Sequence, residues 1–216
     1  MNSNSAESNQ NQNSTPLEGG STSPISTSFL NGDMFRISLL LSTLAFDQIT
    51  KFLARTHLGL PNGEPDYYKF KQVFGEWLQF RLVYNSGAAF GMKPQSFLPF
   101  LNPTVFYAVF SCIAIGVLIG YYRKLNAADL WPKLGVTLIL SGAFGNLIDR
   151  LAFQKVTDFI EVGIPGIQPH WPNFNIADSC VCIGVGLILL APFLSGLSKK
   201  TTQQTIPAPS ASSAES

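Results

Sequence analysis

The chain has 216 residues, of which 46% are hydrophobic and only 12% are charged, and its formal net charge at pH 7 is +1. Soluble globular domains carry about 25% charged residues, so this composition indicates a membrane protein. The near-zero net charge, and the lack of a basic stripe with interleaved aromatic residues, argue against a nucleic-acid partner.

Two polar segments enclose the apolar part of the chain. Residues 1–33 are mostly Ser, Asn, Gln, Thr and Pro, and residues 199–216 are rich in Ser, Ala, Thr and Pro. Neither segment can bury enough apolar surface to offset the entropy lost on folding, so we predict two disordered tails. The first lacks the basic start and early apolar core of a secretory signal peptide. Residues 34–198 are then one membrane-embedded domain.

Four apolar segments lie between the tails, at residues 35–54, 97–122, 134–153 and 176–197. Each is close to the ~20 residues that a helix needs to cross the hydrocarbon of a bilayer. Each is also too apolar on all sides to be a one-faced surface helix. The predicted fold class is an all-α membrane protein with four transmembrane helices. We expect Pro103 to lie in the first turn of the second helix, and Pro192 to kink the fourth or end it early.

The longer region between the first two segments has a different pattern. Over residues 77–84, aromatic and branched side chains partly alternate with polar ones, as in a half-exposed strand. We predict a small amphipathic β-rich region that rests at the membrane surface. Trp77, Phe80, Tyr84 and Trp171 suit an aromatic interfacial belt. Plain anchoring without substrate contact explains each of these aromatic residues equally well.

The basic residues favour one orientation without fixing it. Arg123, Lys124 and Lys133 lie between the second and third segments, and Lys199 and Lys200 follow the fourth. Dense positive charge near helix ends is typical of the cytoplasmic side. The region between the first and second segments carries as many basic residues, so a bare count leaves the orientation open.

Three carboxylates lie at or near the ends of the last two apolar segments: Asp149, Asp158 and Asp178. Ionisable groups at membrane depth are costly and are functional candidates by default. Two of them close together would share a proton, which is how aspartic proteases activate water. Asp178 has a competing structural role, because it follows Asn175 at the spacing of a capping box. Asp158 lies in an otherwise apolar run, residues 156–162, and has no basic neighbour in sequence beyond Lys155, which favours a functional role.

Two further stretches combine polar and small residues. Asp47 and Lys51 share one face of the first helix, and a structural ion pair explains them better than chemistry does. Asn85 is followed by small residues, including Gly87 and Ala89, which would let the backbone of a ligand approach closely. A glycine-containing turn alone would give a similar sequence.

The third helix carries a polar face near its end. Gly142 and Gly145 would permit close contact with another helix. Asn146, Asp149 and Arg150 follow on one face. We expect Asp149 and Arg150 to form a charge pair at the helix interface.

Histidine and cysteine do not form a ligand pattern in this sequence. Cys112, Cys180 and Cys182 all fall inside apolar segments and imply neither a disulfide framework nor a CxxC site. His57 and His170 are isolated from each other and from a cysteine pair. We therefore predict no metal site.

Five stretches, in this order, make residues 34–197 resemble the lipoprotein signal peptidases (signal peptidase II), which are bacterial membrane-embedded aspartic peptidases. They are Asp-Gln-Ile-Thr-Lys (47–51), Asn-Ser-Gly-Ala-Ala-Phe (85–90), Gly-Asn-Leu-Ile-Asp-Arg (145–150), Val-Thr-Asp-Phe-Ile (156–160) and Phe-Asn-Ile-Ala-Asp-Ser (174–179). Two departures from the family pattern are Ser141, where a Gly is frequent, and Thr157, where Val is common.

The resemblance implies that Asp158 and Asp178 are the catalytic residues. The remaining residues expected to bind substrate or support the site are Asp47, Lys51, Asn85, Gly87, Ala89, Asn146, Asp149, Arg150 and Asn175. The resemblance also implies a multi-pass protein of the bacterial inner or plasma membrane, with both termini cytoplasmic and the site near the outer face. Family members cut diacylglycerol-modified prolipoproteins just before the lipid-bearing cysteine. We expect membrane lipids as further partners, and a monomer, because four helices and one site make a complete unit.

The expected mechanism is general acid/base hydrolysis without a cofactor or a covalent intermediate. We predict that Asp158 holds the shared proton more of the time than Asp178, which has the N-terminus of a helix to stabilise its charge. Three alternatives stay open. A small ion or proton transporter would also carry intramembrane acids; a Ser/Lys hydrolase would use Lys51 with Ser86 or Ser179; and the chain could be purely structural.

Overall fold

The computed structural model describes residues 27–66, 68–87, 102–167 and 170–204. It contains helices α1 (Thr27–Leu58), α2 (Pro103–Lys124), α3 (Leu130–Phe153) and α4 (Ile176–Gln204). All four contain a stretch long and apolar enough to cross a membrane, which confirms the four predicted segments. Residues 1–26 and 205–216 of the predicted tails lie outside the described residues, and α1 and α4 continue into residues 27–33 and 199–204.

The helix ends follow local sequence signals. Asn102 caps α2, since its side chain accepts a hydrogen bond of 2.9 Å from the backbone N–H of Thr104, and Pro103 occupies the first turn as predicted. Gln154 ends α3 in the left-handed conformation, with φ of 58°. Pro192 lies inside α4 and does not end it, because the helix continues to Gln204.

A three-stranded antiparallel sheet accompanies the helices, in the order β1 (Phe70–Phe74), β2 (Leu78–Asn85) and β3 (Val156–Val162). The first two strands form the β-rich region predicted between α1 and α2. The third comes from the short connection between α3 and α4. Its mostly buried, apolar residues show none of the alternation that reveals a half-exposed strand.

Helix α3 packs against each of the other three helices. Small residues make this possible, as predicted for Gly142: a Cβ atom there would overlap the carbonyl oxygen of Ala177 in α4. Gly145 faces α1 in the same way, since a Cβ atom would come within 2.5 Å of the Asp47 carboxylate. The polar end of α3 is therefore in tight contact with both α1 and α4.

The distribution of polar and apolar groups fits a bilayer. Large apolar side chains point outward from the helices; Phe110 is 63% exposed and Phe193 is 74% exposed. Lys51, Asp47 and Asp149 are instead among the largest fully buried side chains. Charged groups inside and apolar groups outside are what a lipid environment requires. The chain is a multi-pass membrane protein.

Candidate active site

The polar site lies where the sheet meets one end of the helices. Every predicted site residue within the described part of the chain contributes there or beside it. Helix α1 brings Asp47 and Lys51, α3 brings its polar face, β2 ends at Asn85, β3 carries Asp158, and α4 begins next to Asn175. Residues distant in sequence therefore meet in one buried cluster.

Asp158 is held between two amides. Its Oδ2 accepts a hydrogen bond of 3.1 Å from Asn85 Nδ2, and its Oδ1 accepts one of 2.7 Å from Asn175 Nδ2. The pairing of β2 with β3, with Val83 opposite Asp158, brings Asn85 within this reach. The strands thus fix the position of the carboxyl group from two sides.

Asp178 belongs to the capping box predicted at the start of α4. Its backbone N–H donates to Asn175 Oδ1 at 2.9 Å, and its own Oδ2 accepts from the backbone N–H of Asn175 at 3.1 Å. The second oxygen, Oδ1, accepts from Asn146 Nδ2 at 2.8 Å. Amide donors therefore reach both oxygens of this carboxyl group.

Asn175 connects the two acids. It donates its backbone N–H to Asp178 and its side-chain amide to Asp158. Burial and, second to it, the nearby Asp178 carboxylate raise the pKa of Asp158 from its ordinary value of 3.8 to about 7, against the opposing effect of the amides of Asn85 and Asn175. The direction and both causes are those predicted. One acid of the pair is thus partly protonated near neutral pH.

The predicted ion pair of α1 is present and is linked to the acids. Lys51 Nζ lies 2.9 Å from Asp47 Oδ2 and donates at 2.9 Å to Asn146 Oδ1, whose amide in turn holds Asp178. Asp47 Oδ1 accepts the backbone N–H of Ala177 at 2.8 Å, in the first turn of α4. The pair therefore fixes the start of α4 as well as neutralising charge.

The prediction that Asp149 and Arg150 form a charge pair is wrong. Asp149 lies 3.6 Å from Lys51 Nζ and 3.6 Å from Arg55 Nη1, both in α1, and its Oδ2 accepts the backbone N–H of Thr157 at 2.8 Å. Adjacent residues on a helix point in different directions, so sequence neighbours do not face each other. Asp149 instead joins α1 to the start of β3.

Arg150 faces the other side of α3. Its Nη1 donates to the backbone oxygen of Asn146 at 3.3 Å, and its guanidinium carbon lies 5.6 Å from the centre of the Tyr107 ring. Its charge acts mainly on Asp178 and Asp158. Arg150 is therefore a cation beside the acid pair, held by the aromatic ring of α2.

The small-residue stretch after β2 is described only in part. Asn85 Oδ1 accepts the backbone N–H of Gly87 at 2.9 Å, so the chain turns sharply after the strand. Ala89 lies outside the described residues. The turn directs the Asn85 amide toward Asp158.

Sequence reasoning missed three residues at this site. Arg55 Nη1 donates to Thr157 Oγ1 at 2.8 Å, and Gln48 Nε2 donates to Asp47 Oδ2 at 3.0 Å and to the carbonyl oxygen of Gly145 at 3.1 Å. The signal for Gln48 was its place beside Asp47 in the first motif. Thr157 had one too, since a hydroxyl stands there in place of the usual Val and gives Arg55 an acceptor.

The signal peptidase (SPase) II family matches residues 39–194. A lipoprotein signal peptidase of Syntrophotalea carbinolica is 40% identical over 167 residues, which cover 76% of this chain and 94% of that protein. One from Coxiella burnetii is 36% identical over 163 residues, covering 74% of this chain and 91% of that protein.

Solved structures agree with the fold. A bacterial membrane enzyme determined by the in meso method at 2.3 Å resolution has a TM-score of 0.60 and 28% sequence identity, and the match covers 82% of this chain and 94% of that chain. A second, determined at 1.9 Å, also has a TM-score of 0.60, with 29% identity. The family match spans the buried polar cluster and all four helices. This chain belongs to the signal peptidase II family.

Proposed function

We propose that Asp158 and Asp178 are the catalytic residues with which this membrane aspartic-type peptidase removes signal peptides from lipoproteins. The observation that supports this assignment most directly is the position of Asn175. It donates to Asp158 Oδ1 at 2.7 Å and to Asp178 Oδ2 at 3.1 Å, so one residue aligns both carboxyl groups. Two carboxyl groups in this arrangement share one proton, which gives the site an acid and a base together.

The two acids take different roles in the proposed reaction. Asp178, with amide donors on both oxygens, is the ionised base that removes a proton from the attacking water. Asp158, whose pKa is raised, donates a hydrogen bond to the scissile carbonyl oxygen as negative charge develops there. The tetrahedral intermediate then collapses as the C–N bond breaks, and the departing amine takes up the proton held by Asp178.

The supporting residues keep this geometry fixed. Lys51 and Asp47 hold Asn146 and the start of α4, while Asp149 holds the start of β3. Each acts through another residue, so we assign them positioning roles. Arg150 adds a positive charge beside the pair, which favours the presence of an anionic carboxylate.

We further propose that the substrates are diacylglycerol-modified prolipoproteins cut just before the lipidated cysteine. Substrate acyl chains can stay in the bilayer against the exposed apolar faces of the helices, while the peptide enters the polar site at the helix ends. We place this site at the outer membrane face and both termini in the cytoplasm. The dense basic charge at the α2–α3 connection supports this orientation. The protein is proposed to act as a monomer.

The alternative functions have less support. The family match does not favour a transporter. A Ser/Lys hydrolase needs a lysine amine that can accept a proton from serine, but Lys51 is bound by Asp47 and Asn146. Ser179 Oγ donates to the backbone oxygen of Asn175 at 3.1 Å instead.

The decisive experiment is cleavage of a lipidated prolipoprotein peptide by the purified full-length protein. We expect Asp158→Asn and Asp178→Asn each to lower turnover by at least ~10³-fold, because an amide can neither give nor take the proton. Asp129→Asn, a matched acid-to-amide change in the connection between α2 and α3, should leave turnover unchanged. Substantial turnover by either site variant, with thermal stability retained, would overturn the assignment.

A further inference from the structure

A second buried charged cluster lies on the sheet, beyond the catalytic pair. Glu161, on the same strand as Asp158, accepts a hydrogen bond of 2.8 Å from Arg81 Nε through Oε2 and lies 2.8 Å from His170 Nδ1 through Oε1. A carboxylate only accepts, so the histidine nitrogen is the donor. The side chains of Glu161 and His170 are only 11% and 8% exposed. Neither contact with the membrane nor the proposed chemistry accounts for this cluster of Glu161, Arg81 and His170.

The cluster joins two pieces of chain that meet at the active site. His170 begins a segment, residues 170–174, that lies antiparallel to β3. Trp171 N–H donates to Val162 O at 2.9 Å, and Phe174 and Ile160 exchange backbone hydrogen bonds of 3.0 and 2.8 Å. Asn175 follows immediately. The segment is therefore the support from which Asn175 reaches both acids.

Further contacts fix the same segment in place. Asn173 Nδ2 donates to the backbone oxygen of Arg81 at 3.0 Å, so β2 is tied to the segment as well as to Glu161. Gly163 leaves room for the imidazole, since a Cβ atom there would come within 2.6 Å of His170. The Arg81 guanidinium also lies 5.0 Å from the centre of the Phe70 ring in β1. All three strands thus contribute to holding one connection.

We propose that Glu161, held between Arg81 and His170, is a positioning residue: it fixes residues 170–175 on β3 and so sets the spacing of the Asp158 and Asp178 carboxyl groups. The position of the Asp158 carboxyl group is set by its own strand, β3. The position of the Asp178 carboxyl group is set by Asn175, which directly follows the segment. Glu161 is the charged group that joins that strand to that segment. The inference rests on the proposed roles of Asp158 and Asp178.

The proposal predicts an effect on the reaction rather than on substrate binding. Small displacements of reacting groups lower rates strongly, by up to ~10²-fold for about 1 Å. A looser segment also separates Asp178 from Asp158 and admits water, which weakens the two largest causes of the raised pKa of Asp158. Loss of the Asn175 hydrogen bond acts in the opposite direction but is a smaller effect. The other charges facing Asp158, those of Lys51 and Arg150, stay in place. The alkaline limb of the activity profile should therefore move to lower pH.

The test compares full-length variants in the prolipoprotein cleavage assay, with kcat, KM, the pH profile and thermal stability measured for each. We expect Glu161→Gln and His170→Ala to lower kcat about tenfold while KM stays within roughly twofold, and to shift the alkaline limb downward. His170→Asn should recover part of the loss, because its amide can occupy the position of the imidazole Nδ1. Glu64→Gln, which removes the exposed sheet-side partner of Lys155, is the matched control and should behave as wild type.

Several results would overturn the proposal. These are equal kcat in His170→Ala and His170→Asn, a change confined to KM, an unshifted alkaline limb, or a loss of activity fully explained by the unfolded fraction. The proposed function fails separately, through retained turnover in Asp158→Asn. A failure of the Glu161 proposal would leave the requirement for the two catalytic acids intact.

Discussion

Helix α1 carries a charged pair near each end, and the two pairs have different environments. Near its start, Arg36 donates to Asp33, and its Nε donates to the Tyr122 hydroxyl at 2.8 Å. The Asp33 side chain is still 32% exposed. Some 15 residues on, roughly 22 Å along the helix axis, Lys51 and Asp47 form a pair with side chains only 0% and 2% exposed. Charge at the first end is solvated in part, whereas charge at the second must be balanced inside the protein.

The buried charges at the second end cancel only if one carboxyl group is protonated. Its carboxyl groups are those of Asp47, Asp149, Asp158 and Asp178, and its cations are those of Lys51, Arg55 and Arg150. If all were ionised, four negative charges would face three positive ones in a buried site. A proton shared by Asp158 and Asp178, the proposed catalytic pair, removes the excess. The comparison is therefore consistent with a structural role for the pair at the first end and with the acid/base role proposed for the second.

The largest effect should come from removing the charge of Lys51, the cation of the pair at the second end. Lys51→Met leaves the carboxylates of Asp47 and Asp149 buried without their shared cation, and breaking a buried pair in this way costs ~3–5 kcal/mol. Thermal unfolding should show a large loss of stability, with turnover lowered and not abolished, because Lys51 holds Asn146 and does not touch the reacting atoms. The matched change at the other end, Arg36→Met, should cost less, since Asp33 can be hydrated.

A double variant sharpens that test. Asp47→Asn combined with Lys51→Met removes one of the two carboxylates that lose Lys51 and should recover part of the lost stability. If Arg36→Met and Lys51→Met were equally destabilising, the contrast between the two ends would be wrong.

A glycine comparison should give an intermediate effect. In Gly145→Ala the new methyl group would come within 2.5 Å of Asp47 Oδ2, whereas a Cβ atom at Gly116 in α2 meets nothing within 4 Å. We expect Gly145→Ala to lower the free energy of unfolding by about 2 kcal/mol through overpacking. It should also lower turnover roughly tenfold, because it displaces the pair of Asp47 and Lys51. Gly116→Ala should be neutral or slightly stabilising, because alanine favours helix. Cleavage and thermal unfolding measured on both would check this, and equal effects would contradict close packing at Asp47.

The smallest effect should be the pH dependence. The proposed reaction requires protonated Asp158, whose pKa is about 7, so turnover should fall roughly fivefold between pH 7 and pH 8 as the protonated fraction drops. A rate that stays constant from pH 6 to 9 would contradict the assignment of Asp158 as the acid.

Stability gives an independent measure of the same titration. The folded-state pKa of Asp158 is raised above its ordinary value of 3.8, so protonation stabilises the fold. That contribution is complete below the ordinary value and is lost as pH rises through about 7. The melting temperature of the wild type should therefore decrease more between pH 5 and pH 8 than that of Asp158→Asn. Identical slopes would count against the raised pKa.

The sequence predicted those parts of the fold and site that depend on local patterns. Helix length and apolarity located the four helices, i to i+4 spacing gave the pair of Asp47 and Lys51, and the capping-box spacing gave the hydrogen bonds between Asn175 and Asp178. Each of these relations spans only a few residues along the chain, so spacing alone reveals it.

Relations between distant segments were not predictable in this way. The contact of Arg55 with Thr157 joins residues far apart in sequence, so the unusual hydroxyl at Thr157 marked the position without indicating Arg55 as its partner. Strand β3 was hidden because a buried strand lacks alternation. The partners of Asp149 were missed because adjacency in sequence suggested Arg150, while the fold placed α1 beside it.

The hydrogen bond from Ala177 N–H to Asp47 has a consequence for biogenesis. Asp47 is made early, in the first membrane span, and its amide donor arrives only with the last. A nascent chain that ends before α4 carries a buried carboxylate without this donor and lacks Asp178 as well. With the role proposed for Asp178, the site is therefore complete only after α4 has been made.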